Sequence, residues 1–257
     1  NKIVLNRFRL KNTEHKEEVK MNAANTLKKL GIEQTFNYIY KDPDKNMNKI
    51  MDWADKFSQG QFSSQRKMIR EAIENPKHPY YPYIRKLFKD VDPHVTKTLA
   101  VNFFINAALT GWPKEEKLRQ KYNCNIPWAI LLDPTSACNL HCTGCWAAEY
   151  GHKLNLTYDE IDDIICQGKE LGVYMYIYTG GEPLVRKKDL IKLCEKHSDC
   201  VFLCFTNATL IDEDFTNEML RVGNLVPAIS LEGFEEATDD RRGNGVYQKV
   251  IHAMELL

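Results

Sequence analysis

Three cysteines, Cys138, Cys142 and Cys145, fall within the run Cys138-Asn139-Leu140-His141-Cys142-Thr143-Gly144-Cys145. Thiolates this close together are arranged to hold one metal centre, and three of them around a four-iron cube leave one iron open to an added ligand. Zinc is the competing chemistry. Structural zinc takes four protein ligands and favours paired C-x-x-C elements. Cys142 and Cys145 make one such pair and His141 is a further donor, but no second pair follows at a suitable distance. Cys194, Cys200 and Cys204 fall on an expected helix, its exit and a strand, and all the cysteines outside this run, Cys124 and Cys166 included, read as small buried apolar residues. Histidines such as His78, His94 and His252 show no ligand spacing.

Two further runs have the residue types of a ligand site. In Tyr178-Thr179-Gly180-Gly181-Glu182-Pro183 the paired glycines let a ligand approach the backbone, and exposed carbonyls with the Glu182 carboxylate attract an ammonium group. A plain strand-to-helix turn uses the same residue types. Ser230-Leu231-Glu232-Gly233 is followed by the charged run Asp239-Asp240-Arg241-Arg242-Gly243-Asn244-Gly245, which is expected as a loop. Thr206-Asn207-Ala208-Thr209 is expected first as a turn and helix cap, with lining of the pocket as its second reading.

These runs need elements to position them. From Pro127 onward the pattern alternates strand and helix. Strands are expected at Trp128–Leu132, Val173–Tyr178, Val201–Phe205 and Leu225–Ile229. Helices are expected from Thr157, opened by the capping box Thr157-Tyr158-Asp159-Glu160 and running to Leu171, then at Lys187–His197, Asp214–Leu220 and Val246–Leu257. Four such units joined by right-handed crossovers make a parallel sheet or barrel, with chemistry at the C-terminal strand ends. The cysteine run and both glycine-bearing runs sit at such ends. Residues 16–122 read instead as successive helices, at Glu17–Leu30, Asp44–Phe57, Ser63–Ile73, Tyr83–Phe88 and Val95–Leu109. The expected division is a helical region at 1–125 and an α/β region at 126–257.

Composition narrows the class. The 257 residues carry 35 basic and 35 acidic side chains and 43% hydrophobic residues, so no broad attraction to nucleic acid or anionic membrane is implied. Eight cysteines in a chain this long do not need to be a disulfide scaffold. Asn1–Leu10 lacks the apolar core of a signal peptide, and Leu99–Leu109, interrupted by Asn102 and Asn106, is too short to span a bilayer. A reducing cytoplasm is the expected setting.

The C-x-x-x-C-x-x-C loop after a strand, with Gly180-Gly181-Glu182-Pro183 one strand later, resembles the signature of the radical S-adenosylmethionine superfamily over Ile126–Leu257. The resemblance implies a partial (β/α) barrel and a [4Fe–4S] cluster on Cys138, Cys142 and Cys145. It also implies S-adenosylmethionine chelated to the fourth iron and split reductively to a 5′-deoxyadenosyl radical that abstracts hydrogen from a substrate. By the same resemblance Gly180, Gly181 and Glu182 receive the methionine amino group, and Ser230 contacts the ribose in preference to Glu232, which is the second candidate there. An arginine, Arg242 in preference to Arg241, pairs with the methionine carboxylate, since a guanidinium matches it bidentately. The family usually has an aromatic residue before the third cysteine. Here Gly144 stands there, offering its backbone to the adenine, and Trp146 follows as a replacement ring or as a core residue.

A flavodoxin or ferredoxin is the implied electron donor. The favoured substrate is a peptide or protein, as in the branch with C-terminal auxiliary clusters; a small metabolite or lipid near Phe103-Phe104-Ile105 is the alternative. A non-catalytic zinc module is the reading from another class. The sequence opens on Asn1 and supplies four of the family's roughly six strand–helix units, so it is expected to be part of a longer chain.

Overall fold

A computed structural model describes residues 31, 34–57, 63–151 and 153–257, and the helix expected over Glu17–Leu30 lies outside these. The chain forms two compact units, Asn1–Lys97 and Thr98–Leu257. In the first, helices α1 (Pro43–Phe57), α2 (Ser63–Glu74) and α3 (Tyr81–Lys89) appear where the sequence places them. Phe88 anchors α3 by stacking on Phe36 at 6.0 Å and meeting the edge of Tyr40 at 5.5 Å.

The sequence predicts one helix over Val95–Leu109. The chain instead runs α4 (Pro93–Ala100), a π-helical stretch (Val101–Gly111) and α5 (Trp112–Tyr122). Such wide winding is rare and is normally confined to one turn. In this stretch Asn102 donates to the carbonyls of Ser198 (2.8 Å) and Cys200 (2.9 Å), and Asn106 to that of Asp199 (2.9 Å). Buried amides that find such partners gain; unpaired, each would cost about 1–3 kcal/mol. Those long-range bonds bring residues 98–125 into the second compact unit. Gly111 is needed at the end of the stretch, because a Cβ there would lie 2.2 Å from the Gly172 carbonyl oxygen.

The second unit is built on a sheet of β1 (Ile130–Leu132), β2 (Met175–Tyr178), β3 (Val201–Thr206) and β4 (Leu225–Ile229), in that order and all parallel. Its crossover helices are α6 (Tyr158–Leu171), α7 (Lys187–Lys196) and α8 (Glu213–Val222), with α9 (Glu235–Arg242) and α10 (Val246–Leu256) following β4. This is a partial (β/α) barrel. Tyr176, Tyr178 and Phe202 fill the layer beneath the helices, Tyr178 and Phe202 stacking at 5.4 Å and 6°. Cys194, Cys200 and Cys204 are buried in the same layer, as small apolar residues, whereas Cys124, in the loop before β1, and Cys166, on α6, are exposed and do not share that role. Alternate residues Leu131 and Phe205 are exposed on the other face.

The capping box is present in full: Thr157 Oγ1 accepts from the Glu160 backbone N–H (3.1 Å), and Glu160 Oε2 accepts from that of Thr157 (2.7 Å). Thr157→Ala is expected to cost about 1 kcal/mol, read as a lower urea midpoint with an unchanged m-value. The run 239–245, expected as a loop, is corrected in part. Residues 235–242 are helical, with Glu235 and Glu236 in the first turn and Arg241 and Arg242 in the last, where both signs complement the helix dipole. Among the described residues, no helix is long and apolar enough to cross a membrane.

Candidate functional site

The C-terminal ends of β1, β2, β3 and β4 converge on the cysteine loop. The chain beyond β1 is zipped to the turn after β2 by three backbone bonds. Thr179 donates to Leu132 O (3.1 Å), Gly181 to Thr135 O (2.9 Å) and Glu182 to Ala137 O (2.8 Å). Gly180 has φ +105°, and a Cβ on Gly181 would lie 2.2 Å from Ala137 O. The paired glycines therefore first serve a close approach of two protein backbones, at the residue before Cys138.

Glu182 is the hub of this region. It is 1% exposed. Its Oε1 accepts from Leu184 N (3.0 Å) and Thr206 Oγ1 (2.7 Å), and its Oε2 from Asn207 N (2.7 Å). Burial raises the Glu182 carboxyl above the usual carboxylate range, while these three donors oppose the rise. Asn207 carries the link onward, donating to Asn139 Oδ1 at 2.9 Å and reaching Cys138 Sγ at 3.9 Å. The turn after β3, expected first as a cap and second as a pocket wall, thus braces the cysteine loop, and its Thr206 and Asn207 line the cavity there.

The loop's far side is held by Thr143 N donating to Arg241 O (2.8 Å) and Cys145 N to Cys142 O (3.2 Å). Gly144 lies between with φ +70°, a conformation that an aromatic residue would adopt only with strain. Burial is the largest influence on Cys138 and Cys142 and raises both thiols; Arg242 and Arg241 pull Cys142 back down. Such thiols become ligands when a cation compensates the buried negative charge.

Cys138, Cys142 and Cys145 line one cavity of about 250 Å³ with Gly144, Gly180, Gly181 and Glu182. Ser230, Arg241 and Arg242 line it too, with Thr206 and Asn207 from the turn after β3. The three cysteines, Gly144, Gly180, Gly181, Glu182, Ser230 and Arg242 are therefore brought to one place, whereas Phe103, Phe104 and Ile105 are not among its lining residues. The two arginines differ in setting: the Arg242 side chain is 14% exposed and that of Arg241 49%, both paired with Glu232. Arg242 Nε is buried without a hydrogen-bond partner.

Trp146 is 60% exposed, meeting Tyr150 edge to face at 5.7 Å, which rules out a core role for its ring. It lines both this cavity and a second of about 480 Å³ walled by Asp133, Ser136, Tyr150, Leu154 and Leu156. The two cavities also share Gly180 and Gly181. The sequence reading missed Asp133, whose carboxyl is raised by burial; its signal was an acidic residue immediately after a core strand.

A parallel sheet with three thiols, a glycine pair and a part-buried guanidinium at its strand ends has the make-up of a cofactor-binding core. The family model of the Radical SAM superfamily matches residues 132–257, and this part of the chain belongs to that superfamily. Members use a [4Fe–4S] cluster with S-adenosylmethionine. Three thiols on one cavity wall, beside a guanidinium nitrogen that lacks a partner, fit that pair. The PqqA peptide cyclase of Bradyrhizobium diazoefficiens is 34% identical over 120 residues, covering 45% of this chain and 31% of that protein. The GTP 3′,8-cyclase of Clostridium perfringens is 28% identical over 145 residues, covering 54% and 45%. The crystal structure of Streptococcus suis SuiB bound to S-adenosylmethionine aligns with TM-score 0.47 and 21% identity, covering 88% of this chain and 47% of that one. The matched segments thus span less than half the length of each of these proteins.

Proposed function

We propose that Cys138, Cys142 and Cys145 hold the [4Fe–4S] cluster and that the surrounding residues seat S-adenosylmethionine for reductive cleavage. The observation that carries this is the single cavity on which the three thiols, Gly180-Gly181, Ser230 and Arg242 meet. Once bound, the cluster and S-adenosylmethionine supply a 5′-deoxyadenosyl radical for hydrogen abstraction, the electron coming from a donor such as a flavodoxin or ferredoxin.

The chain's own residues bind and orient. Arg242 Nε, buried and unpartnered, is matched to the methionine carboxylate, and Glu232 fixes the guanidinium from its other side. Backbone carbonyls of the Gly180-Gly181 turn receive the ammonium group. Glu182 holds that turn in place and adds negative charge, because its oxygens already accept three protein hydrogen bonds. Ser230 offers its hydroxyl to the ribose, the Gly144 backbone faces the adenine, and Trp146 is the nearby ring.

The substrate class we favour is a peptide. The second cavity is lined by the apolar Trp146, Tyr150, Leu154 and Leu156 and the polar Asp133, Ser136 and Asn155, and it shares Trp146, Gly180 and Gly181 with the cofactor cavity. It suits a side chain with an apolar stem and a polar tip, and one relative is a peptide cyclase. A small metabolite is the second reading, favoured by the likeness to a GTP cyclase.

The test is anaerobic reconstitution with iron and sulfide, followed by reduction and assay of 5′-deoxyadenosine. A brown chromophore with nucleoside product is expected; a colourless protein holding zinc and releasing no nucleoside defeats the assignment. Arg242→Gln is expected to keep the iron content and weaken S-adenosylmethionine binding by about 1.5–3 kcal/mol, the worth of a hydrogen bond to a charged group. Equilibrium binding to the cluster-loaded protein checks this, and Arg241→Gln should have the smaller effect.

A further inference from the structure

On the helical side of the sheet, away from the strand ends, Asp162, Cys166 and His197 bring one donor atom each to within 4.8 Å of one another. Asp162 and Cys166 are one turn apart on α6 and so share a face. His197 follows α7 directly, its backbone N–H closing that helix onto Leu193 O at 2.9 Å. Its ring is buried at 3% exposure, and Nε2 meets Asp162 Oδ1 at 2.9 Å. We propose that Asp162, Cys166 and His197 form a binding site for a zinc-type divalent ion that clasps α6 to the end of α7.

The donor set selects the metal. One imidazole, one thiolate and one carboxylate suit zinc and its neighbours, whereas magnesium and calcium take oxygen ligands. Bond lengths of about 2.0 Å to nitrogen and oxygen put those two ligands about 3.3 Å apart around a tetrahedral ion. The present 2.9 Å contact needs to open by only a few tenths of an ångström. Cys166 is exposed, so its thiol loses its proton to solvent on binding, and water takes the fourth position. The competitor is Lys196, whose Nζ lies 2.8 Å from Asp162 Oδ2. It engages the oxygen that His197 does not, and its half-exposed side chain has room to withdraw.

The plain alternative is that Asp162 and His197 form only a hydrogen bond joining two helices, with Cys166 a bystander. The experiment uses the full chain with its iron–sulfur cluster assembled, so that the cysteine loop is occupied. Zinc is added, the protein is desalted, and zinc and iron are counted; cobalt then replaces zinc as a spectroscopic probe. One zinc per chain beyond the iron content is expected, with a cobalt–thiolate absorption band. Cys166→Ser is expected to weaken zinc binding about tenfold or more, since losing even an outer-sphere partner costs that much. It should leave iron content and 5′-deoxyadenosine formation at wild-type levels. Asp162→Asn should weaken zinc binding likewise. Equal zinc retention by the wild type and Cys166→Ser overturns the proposal, as does zinc uptake seen only when the cluster is absent.

Discussion

Cys142→Ala should lose the iron–sulfur chromophore and form no detectable 5′-deoxyadenosine while remaining folded. The folding half follows from where Cys142 sits: on a loop, half-buried, outside the core layer of Tyr176, Tyr178 and Phe202. Its backbone carbonyl, which accepts from Cys145 N, is retained by alanine. The chemical half follows from ligand count. Two thiols in place of three leave a second iron without a protein ligand, and the cluster loses its anchor on the side where Arg241 and Arg242 approach. Iron content, visible absorbance and far-UV circular dichroism separate the two halves. The same substitution at Cys138 or Cys145 should behave alike. Cys124, exposed in the loop that precedes β1, is the control and should be silent. Iron retained at wild-type level in Cys142→Ala shows that this thiol is not a ligand.

How far these assignments were legible in the sequence depends on the range of the interactions that decide them. The capping box at Thr157 and Glu160 is local and sets the start of α6, and the left-handed Gly172 just past Leu171 sets its end. Strand β4 spans Leu225–Ile229 as read, because a short apolar run between turns has few alternatives. The cysteine loop was legible from spacing, since its three thiols fall within eight residues and need no long-range packing to bring them together. The π-helical stretch was not: its winding accompanies bonds from Asn102 and Asn106 to carbonyls more than ninety residues away. Helix α9 was missed because its eight residues are almost wholly polar, so no apolar stripe marks a buried face. Asp162 and His197 are 35 residues apart and carry no motif; only the packing of α6 against α7 brings them together.

The glycine pair has a second role that the sequence did not show. The sequence supports a ligand drawn close to the backbone at Gly180-Gly181, and both residues do line the cofactor cavity. The tightest approach, however, is made by the protein itself. A Cβ on Gly181 would lie 2.2 Å from Ala137 O and 2.6 Å from both Ala137 C and Ser136 O. These are backbone atoms, which cannot rotate aside as a side chain can.

Gly181→Ala must therefore push the approach to Cys138 outward by about 1 Å to reach van der Waals contact. The shift strains the bonds from Gly181 N to Thr135 O and from Glu182 N to Ala137 O, each worth about 0.5–1.5 kcal/mol. With overpacking at about 1–3 kcal/mol, a total destabilisation of roughly 2–4 kcal/mol is expected. The catalytic loss should be larger in proportion, since a displacement near 1 Å between bound groups costs on the order of 100-fold in rate. Iron should still be incorporated, because the cysteine side chains can follow the loop. The reduced, cluster-loaded variant should form 5′-deoxyadenosine about 100-fold more slowly, with a lowered unfolding midpoint. Gly144→Ala is the comparison. Its φ of +70° carries strain of roughly 1–2 kcal/mol, but nothing lies within 4 Å of the added carbon. It should cost stability without displacing the loop, and its rate should stay well above that of Gly181→Ala. A Gly181→Ala protein as fast and as stable as the wild type shows that the contact with Ala137 does not hold the cysteine loop in place.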